Sequence, residues 1–312
     1  MHTTRRTLLG VLALLLWLPS AAQADPTRVV FVTHGQAADQ YWSVVKKGVD
    51  DAAKTMGANA EYLAPETFDM PAMAKLLEAA IASKPDGLVV SIPDTDAIGP
   101  LVQNAVASGI PVIVIDSGGS ELSRKLGALL FMGQSEFDAG VLAGERVKAL
   151  GLTKAVCVNH EVGNISLDDR CAGFAKGLGA DVPVLQGVMD PTEMKGRILG
   201  YLQTNPDTQF ILAVGSAGAD PALAAVDEAG LAGKVKLGTF DLSPNILQAV
   251  DAGKMEWGID AQQYLMGYVP VVMFDLMKRY KLAPILDYPT GPGFVTKAEA
   301  ASVIELAKKG VR

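Results

Sequence analysis

The stretch Val112-Ile113-Val114-Ile115, followed directly by Asp116, decides the fold. A strand with one solvated face alternates apolar and polar residues, whereas these four residues are all apolar. Val29-Val30-Phe31-Val32, near the start of the chain, has the same character. Strands that are apolar on both faces are typical of a parallel sheet covered by helices on each side. The sequence therefore predicts an α/β protein.

Strand-like runs recur along the chain and alternate with segments of helical periodicity. The ten runs are 28–33, 58–63, 87–92, 111–115, 128–132, 154–159, 182–186, 209–214, 235–240 and 255–260. Each half of the chain holds about five β-α units, which predicts a duplicated, doubly wound (Rossmann-like) parallel-sheet fold with two lobes. The join between the halves falls near Met132-Gly133-Gln134.

The composition excludes several classes of protein. Of 312 residues, 49% are hydrophobic and 20% are charged, and the formal net charge at pH 7 is −7. Proteins that bind nucleic acid normally present a basic surface to the phosphates, so no nucleic-acid partner is expected. Two cysteines and three histidines offer few ligands for a zinc site, and we expect neither a metal nor a cofactor.

Residues 1–24 have the pattern of a secretory signal peptide. Arg5-Arg6 gives a positive start, Leu8 to Leu18 is apolar, and Ala22-Gln23-Ala24 is a small-x-small cleavage site. The apolar run is shorter than the roughly 20 residues of a spanning helix, which disfavours the alternative of a membrane anchor. Sec and twin-arginine export both stay open. Since no cysteine follows the cleavage site, we expect an exported, soluble protein without a lipid anchor.

Export changes the interpretation of the two cysteines, Cys157 and Cys171. In an oxidising compartment two cysteines 14 positions apart can form a disulfide. The alternative is a pair of free buried thiols, because the distance between a strand residue and a helix residue cannot be read from sequence.

Polar and aromatic side chains follow the predicted strands, where open parallel sheets bind their ligands. The candidate ligand-binding residues are His34, Asp39, Tyr41, Trp42, Asp116, Asn164, Arg170, Ser216, Asp241, Asp260 and Gln262. Carboxylates, amides and a guanidinium accept from or donate to neighbouring hydroxyl groups, and aromatic rings offer flat apolar faces to the C–H groups of a ring. The set predicts a polar ligand held between the two lobes.

The order and spacing of several short motifs resemble a known family, and the resemblance covers nearly all of the chain after residue 24. The motifs are Tyr41-Trp42-Ser43-Val44-Val45-Lys46-Lys47-Gly48, Lys84-Pro85-Asp86-Gly87-Leu88, 109–116 (GIPVIVID), 169–174 (DRCAGF), 238–241 (GTFD) and 258–268 (GIDAQQYLMGY). They resemble the ribose/galactose-type periplasmic sugar-binding proteins of ABC transporters, the type I periplasmic binding proteins. The resemblance implies two lobes, three hinge crossings, a ligand in the cleft and delivery to a membrane permease.

The resemblance also implies a division of the chain and a set of roles. The first lobe would contain 25–132 and 262–288, and the second would contain 133–261 and 289–312. It implies that Tyr41 and Trp42 stack on the sugar ring. It implies polar contacts with the sugar for five other residues, which are Asp39, Asp116, Arg170, Asp241 and Gln262.

Three departures from the ribose-type pattern leave the identity of the sugar open. The first is a longer first loop, which carries His34. Ser117 stands where that pattern has an arginine, and the turn Gly215-Ser216-Ala217-Gly218 stands where it has an asparagine. A related monosaccharide or a polyol is therefore expected.

Several candidates also have purely structural interpretations. Asp116 could cap a turn, Arg170 could pair with Asp168 or Asp169 at the surface, and Tyr41 or Trp42 could belong to the core. His34 and His160 are each read either as a ligand contact or as a residue that fills its loop. Asp94 is expected to cap the following helix.

Three functions from different classes are compatible with this pattern. The first is a monomeric periplasmic binding protein that captures a monosaccharide or polyol and closes by hinge motion. The second is a receptor subunit that senses a sugar derivative and signals to a membrane partner. The third is a secreted carbohydrate-active enzyme using Asp116 and Asp241. The third is disfavoured because the chain has no Gly-x-Ser-x-Gly, His-Glu-x-x-His or Gly-x-x-x-x-Gly-Lys motif. No catalytic residue is therefore assigned.

Overall fold

The computed structural model describes residues 25–35 and 39–312. The predicted signal peptide, residues 1–24, lies outside the described residues. In the described part the strands form two six-stranded sheets. The strands of the first sheet are β1 (Arg28–Val32), β2 (Asn59–Leu63), β3 (Gly87–Val90), β4 (Val112–Ile115), β5 (Leu130–Gly133) and β11 (Tyr288–Pro289). Those of the second are β6 (Ala155–Asn159), β7 (Val184–Gln186), β8 (Phe210–Ala213), β9 (Lys236–Phe240), β10 (Trp257–Asp260) and β12 (Gly293–Val295).

Helices cover both sheets. Those of the first lobe are α1 (Gln40–Met56), α2 (Met70–Ala82), α3 (Thr95–Ala107), α4 (Gly119–Lys125) and α10 (Gln263–Tyr280). Those of the second lobe are α5 (Glu136–Ala149), α6 (Ile165–Leu178), α7 (Pro191–Thr204), α8 (Ser216–Glu228), α9 (Pro244–Asp251) and α11 (Lys297–Lys308). None of the helices in the described ranges is both long enough and apolar enough to cross a bilayer.

The two sheets repeat one topology. The first has the order β11-β5-β4-β3-β1-β2, and the second has the order β12-β10-β9-β8-β6-β7. All neighbouring strands are parallel except β10 and β12, which are antiparallel. The strand order reverses at β1 in one sheet and at β6 in the other, which places a crevice beside each reversal. The predicted duplicated, doubly wound fold is confirmed.

The apolar strands bury their two faces in different cores. Val29 and Phe31 pack in a core that contains residues of α1 and α10, while Val30 and Val32 pack with residues of α2 and α3. The residues of β4 alternate in the same way between these two cores. This double burial is the physical reason why the strands lack polar positions.

Three segments connect the lobes. The chain leaves the first sheet after β5, returns after β10, and crosses again between β11 and β12. In the structure β5 extends through Gly133 and β11 through Pro289, each one residue past the predicted crossing. The two short strands β11 and β12 were not predicted, because two or three residues are too few to produce a pattern. The lobe boundaries given above stay a prediction.

A disulfide joins β6 to α6 in the second lobe. The sulfur atoms of Cys157 and Cys171 are 1.98 Å apart, and their Cα atoms are 5.8 Å apart. Both residues are buried in the core that α5 and α6 form with the sheet. Of the two alternatives for these cysteines, the structure contains the bonded one.

Candidate functional site

A small cavity lies between the lobes, at the carboxyl ends of the strands. It is lined by His34, Asp39, Tyr41, Trp42, Asp116, Ser117, His160, Glu161, Asn164, Ser166, Leu167, Arg170 and Asp241. Eight of the eleven sequence candidates are in this lining.

The lobes are in contact around this cavity. The backbone N–H of Ile165 in the second lobe donates to the carbonyl of Pro93 in the first, at 3.1 Å. Beside it, Asn164 Nδ2 lies 3.3 Å from His34 Nε2 across the same gap. Most lining residues are therefore buried, and the molecule is in a closed arrangement.

Asp116 and Asp241 occupy equivalent places in the two lobes. Asp116 follows β4, Asp241 follows β9, and each backbone N–H donates to the adjacent strand, at Met132 and Ile259 respectively. Both aspartates have left-handed backbones, with φ of 61° and 68°. Non-glycine residues seldom adopt this conformation. The turn directs the two carboxylates from opposite walls into the cavity.

Tyr41 and Trp42 line the cavity and also belong to the first lobe's core. The Tyr41 hydroxyl donates to Asp116 Oδ1 at 2.5 Å, and Ser117 Oγ donates to Asp116 Oδ2 at 2.7 Å. The Trp42 ring meets the His34 ring edge-on, with centroids 4.7 Å apart. Gly35 permits this placement, because a β-carbon there would lie 2.2 Å from Trp42 Cγ.

Asp39 is the N-cap of α1, and its carboxylate accepts from the backbone N–H of Tyr41 at 2.9 Å. Burial raises its pKa to about 6, and the nearby charges of Glu161 and Asp116 contribute to that rise. Asp94 likewise caps α3, as predicted, and accepts from Asp96 and Ala97.

Arg170 is buried and pairs with Glu136. The alternative that it pairs with Asp168 or Asp169 at the surface is therefore wrong. Its Nε and Nη2 donate to the two Glu136 carboxylate oxygens at 2.6 and 3.0 Å, and Nη1 donates to the Val214 carbonyl at 2.7 Å. Its guanidinium also lies over the Phe240 ring, 4.5 Å from the centroid. The Nη1 atom lies 3.8 Å from Asp241 Oδ1.

Burial perturbs two further ionisable groups in the second lobe. It raises the pKa of Asp241 to about 7, against the opposing effect of Arg170. It lowers the pKa of His160 to about 4. Gly215 accommodates the histidine ring, since a β-carbon there would lie 2.4 Å from His160 Cε1.

Three sequence candidates lie outside the cavity lining. Ser216 contributes its backbone N–H, which donates to Asp241 Oδ2 at 3.3 Å. Asp260 and Gln262 lie at the hinge instead of facing the cavity. Asp260 Oδ1 accepts from the Gln262 backbone N–H at 2.8 Å, and Gln262 Nε2 donates to the Thr290 carbonyl at 2.5 Å. The second of these bonds joins two of the crossing segments.

Two carboxylates at the site were not among the sequence candidates. Glu136 lies 34 positions from Arg170, and nothing in the local sequence indicates their contact. Glu161 directly follows β6 and accepts from Asn164 Nδ2 at 2.9 Å. Because Glu161 directly follows a strand, the sequence could have identified it as a site candidate. Glu136 could be identified only from its contact with Arg170 in the folded chain.

The sequence matches the family model described as the periplasmic binding protein domain, over residues 29–280. It is 26% identical over 293 residues to the xylose/arabinose-binding protein XylF of Sulfolobus acidocaldarius, an alignment that covers 87% of this chain and 71% of that protein. It is 29% identical over 186 residues to a D-ribose/D-allose-binding protein of Pseudomonas aeruginosa, covering 55% of this chain and 57% of that protein.

The structure is also similar to solved structures. One is a carbohydrate transporter from Acidothermus cellulolyticus in complex with myo-inositol, with a TM-score of 0.86 and 30% identity, covering 92% of this chain and 100% of the other. Another is a periplasmic sugar-binding protein of an ABC transporter from Legionella pneumophila, with a TM-score of 0.78 and 27% identity, covering 85% of this chain and 99% of the other.

Proposed function

Because the chain belongs to the periplasmic binding protein family, we propose that it captures one monosaccharide or polyol between its lobes and delivers it to an ABC transporter permease. The observation that carries the proposal is the cavity itself. Its walls combine carboxylates, an amide, a guanidinium and two histidines with two aromatic rings. Hydroxyl groups need such directional partners, and the C–H faces of a sugar or cyclitol pack on aromatic rings.

The proposed mechanism is capture followed by closure. Polar groups from both lobes line one cavity, so a ligand that contacts both walls favours the closed arrangement by its difference in affinity for the two states. The contacts of Asn164 with His34 and of Ile165 with Pro93 link the lobes directly. Hinge closure around a ligand is a general motion of periplasmic binding proteins. The left-handed Gln262, with φ of 51°, lies in one crossing segment and is a hinge candidate.

The roles we propose for individual residues follow from their places in the cavity lining. Asp116 and Asp241 accept hydroxyl hydrogens from opposite sides of the ligand, and Asn164 and His34 contact its edge. Trp42 packs against the ring face. Arg170 is already bonded to Glu136 and Val214, so its main role is to shape the wall and orient Asp241.

Calorimetric titration of the protein lacking residues 1–24 with pentoses, hexoses and cyclitols, myo-inositol among them, tests the proposal. We expect at least one compound to bind in the micromolar range or tighter and to be recovered unchanged. Asp116→Asn should weaken that binding about 10- to 100-fold, the effect of removing a hydrogen bond to a charged group. If every compound binds more weakly than millimolar, the proposal is wrong.

Asp94→Asn is the matched control for that variant. It makes the same chemical change at the end of the neighbouring strand, outside the cavity, and asparagine is also a good N-cap. Its affinity should equal that of the parent protein. An equal loss in both variants would show a general effect on folding and not a contact with the ligand.

A further inference from the structure

The two lobes place a histidine near the equivalent point of each sheet. His34 follows β1 and His160 follows β6, the strands at which the two strand orders reverse. Both residues line the cavity between the lobes, and they are 2% and 8% exposed. A buried histidine either fills its loop or contacts the ligand, and the hydrogen bonds of its ring distinguish the two roles.

The ring of His34 has partners within the protein. Its Nδ1 lies 2.8 Å from Ser91 Oγ, and its Nε2 lies 3.3 Å from Asn164 Nδ2. Both ring nitrogens therefore face a polar atom of the chain itself.

The ring of His160 differs, because its Nδ1 is buried and has no hydrogen-bond partner among the described residues. Burial lowers the pKa of His160 to about 4, Arg170 and His34 act in the same direction, and Glu161 acts against them. The ring is therefore neutral at pH 7, with one nitrogen that donates and one that accepts. Polar groups buried to this degree nearly always have a partner, so an unbonded Nδ1 in a cavity wall indicates a contact with the ligand.

The loop after β6 holds His160 in place without using its ring. Asn159, the residue before it, donates through Nδ2 to Asp168 at 2.9 Å and accepts through Oδ1 from the Glu161 backbone N–H at 3.0 Å. The Glu161 carbonyl in turn accepts from the Asn164 backbone N–H at 3.2 Å. Since the residues on both sides are bonded, the histidine is pre-organised, which reduces the entropy cost of a contact with the ligand.

Gly215 brings the His160 ring onto the same wall as Asp241. A β-carbon on this glycine would lie 2.4 Å from His160 Cε1 and 3.0 Å from Asp241 Oδ2, so the two side chains pack side by side against it. Because the carboxylate of Asp241 is directed into the cavity, the ring beside it lies within reach of the same ligand. A hydroxyl group both donates and accepts, so it suits a neutral imidazole whichever nitrogen carries the hydrogen.

From this arrangement we infer that His160 is a specificity-determining residue, whose Nδ1 forms a hydrogen bond with one free hydroxyl group of the ligand. The inference rests on the proposed function, since it concerns the sugar or cyclitol in the same cavity. A ligand without that hydroxyl leaves a buried nitrogen unbonded, and a site built to bond a hydroxyl rejects such an analogue. The protein should therefore discriminate against one deoxy form of its ligand through this residue.

A cycle that combines a protein variant with a ligand variant tests the inference, using the protein lacking residues 1–24. Calorimetry measures the affinities of myo-inositol, D-ribose, D-xylose, D-glucose and D-galactose, and of the monodeoxy forms of each compound that binds. In the parent, we expect one or more monodeoxy forms to bind at least about fivefold more weakly than the full ligand, the effect of a buried polar group left unbonded. In His160→Leu that ratio should fall to near one for one ring position and stay unchanged for the others.

His160→Asn separates the hydrogen bond from the shape of the side chain. Leucine and asparagine have nearly the same shape, but only asparagine keeps polar atoms near the place of Nδ1. The full ligand should bind His160→Asn at least about threefold tighter than His160→Leu, because the amide restores part of the hydrogen bond. Gln186→Leu is the control, since it removes an exposed polar side chain at the end of the neighbouring β7, outside the cavity lining, and should leave every ratio unchanged.

Urea unfolding checks that the variants fold, and His160→Phe, which keeps a ring without nitrogen, repeats the cycle if the leucine variant does not. If a compound binds in the micromolar range and neither apolar variant changes any deoxy ratio, this inference is wrong while the proposed function stands. Equal affinities of His160→Asn and His160→Leu would indicate that the histidine only fills its loop, and would also overturn it. If every compound binds more weakly than millimolar, the proposed function fails and this inference with it.

Discussion

Replacing Arg170 by alanine should destabilise the second lobe severely. The side chain is 4% exposed, and it satisfies both oxygens of the buried Glu136 together with the Val214 carbonyl. Truncation leaves a buried carboxylate that still accepts a hydrogen bond from Gln134 Nε2, at 2.9 Å. Breaking a buried ion pair by removing one partner costs about 3–5 kcal/mol. Loss of the packing on Phe240 adds to this.

A double-mutant cycle separates the pair from the cavity that truncation creates. Burial already raises the pKa of Glu136 despite the opposing effect of the arginine. Without Arg170 the carboxyl group must stay protonated or carry an uncompensated charge. Arg170→Met combined with Glu136→Gln removes both charges and preserves volume. We expect this double variant to be at least about 2 kcal/mol more stable than Arg170→Met alone, because it no longer buries a carboxylate without its arginine. Glu136→Gln alone completes the cycle, and the coupling energy follows from all four proteins.

Urea unfolding of the protein lacking residues 1–24, followed by tryptophan fluorescence, measures these differences. Trp257 lies in the core of the second lobe, stacked on Phe210 with centroids 5.3 Å apart, and Trp42 lies in the first lobe. In a Trp42→Phe background the remaining signal reports the second lobe. The free energy of unfolding follows from the midpoint and slope.

The control is Arg197→Ala, which removes an arginine paired with Glu193 on the surface of α7. Exposed pairs contribute up to about 1 kcal/mol, so this variant should be close to the parent in stability. A loss below 1 kcal/mol in Arg170→Ala, or no recovery in the double variant, would refute the assignment of a buried ion pair.

Three further predictions concern stability. Replacing Cys157 and Cys171 together by alanine should cost about 3 kcal/mol in urea unfolding, from the entropy of a loop of about 15 residues, and an unchanged midpoint would contradict a formed disulfide. Gly177→Ala should destabilise the protein by about 1–3 kcal/mol, because the new β-carbon would lie 2.0 Å from a carbonyl oxygen of α5. Gly196→Ala is the control and should stabilise the protein slightly, since nothing lies within 4 Å of its β-carbon. Equal effects of the two substitutions on stability would contradict the close packing of α5 and α6. Asp241→Asn should gain stability relative to the parent as pH rises from 4 through 7. The pKa of Asp241 is about 7 in the folded protein and 3.8 ordinarily, so the parent loses up to about 4 kcal/mol of stability over that interval while the asparagine variant does not. Parallel profiles of stability against pH for the two proteins would exclude this.

Much of the fold could be predicted from local pattern. The runs around Val29 and Val112 are apolar at every position, and that pattern requires burial on both faces whatever the rest of the chain does. Repetition of strand and helix then leaves few topologies, since crossover connections are right-handed. Strands β11 and β12 were missed because they are only two and three residues long and form by pairing with β5 and β10 of their own sheets, not through a pattern in their own residues.

The candidate site was predicted in part for a related reason. Residues such as Asp116 and Asp241 directly follow strands, and parallel strands bring their carboxyl ends to one edge. Asp260 also ends a strand, yet it lies at the hinge, because β10 is followed by a crossing segment and not by a loop over the cleft. Position at a strand end therefore identifies candidates without distinguishing the cleft from the hinge.

The sequence by itself determined the two-lobed α/β architecture and the edges on which polar groups gather, because burial and periodicity act over a few residues. The tertiary structure decided how those groups are paired. Arg170 is committed to Glu136, 34 positions away, and its Nη1 atom lies 3.8 Å from Asp241 Oδ1 on the cavity wall. Charge balance in a buried site depends on distances of a few ångströms between remote segments, since Coulomb energy depends on separation and local dielectric. Only the folded chain fixes those distances.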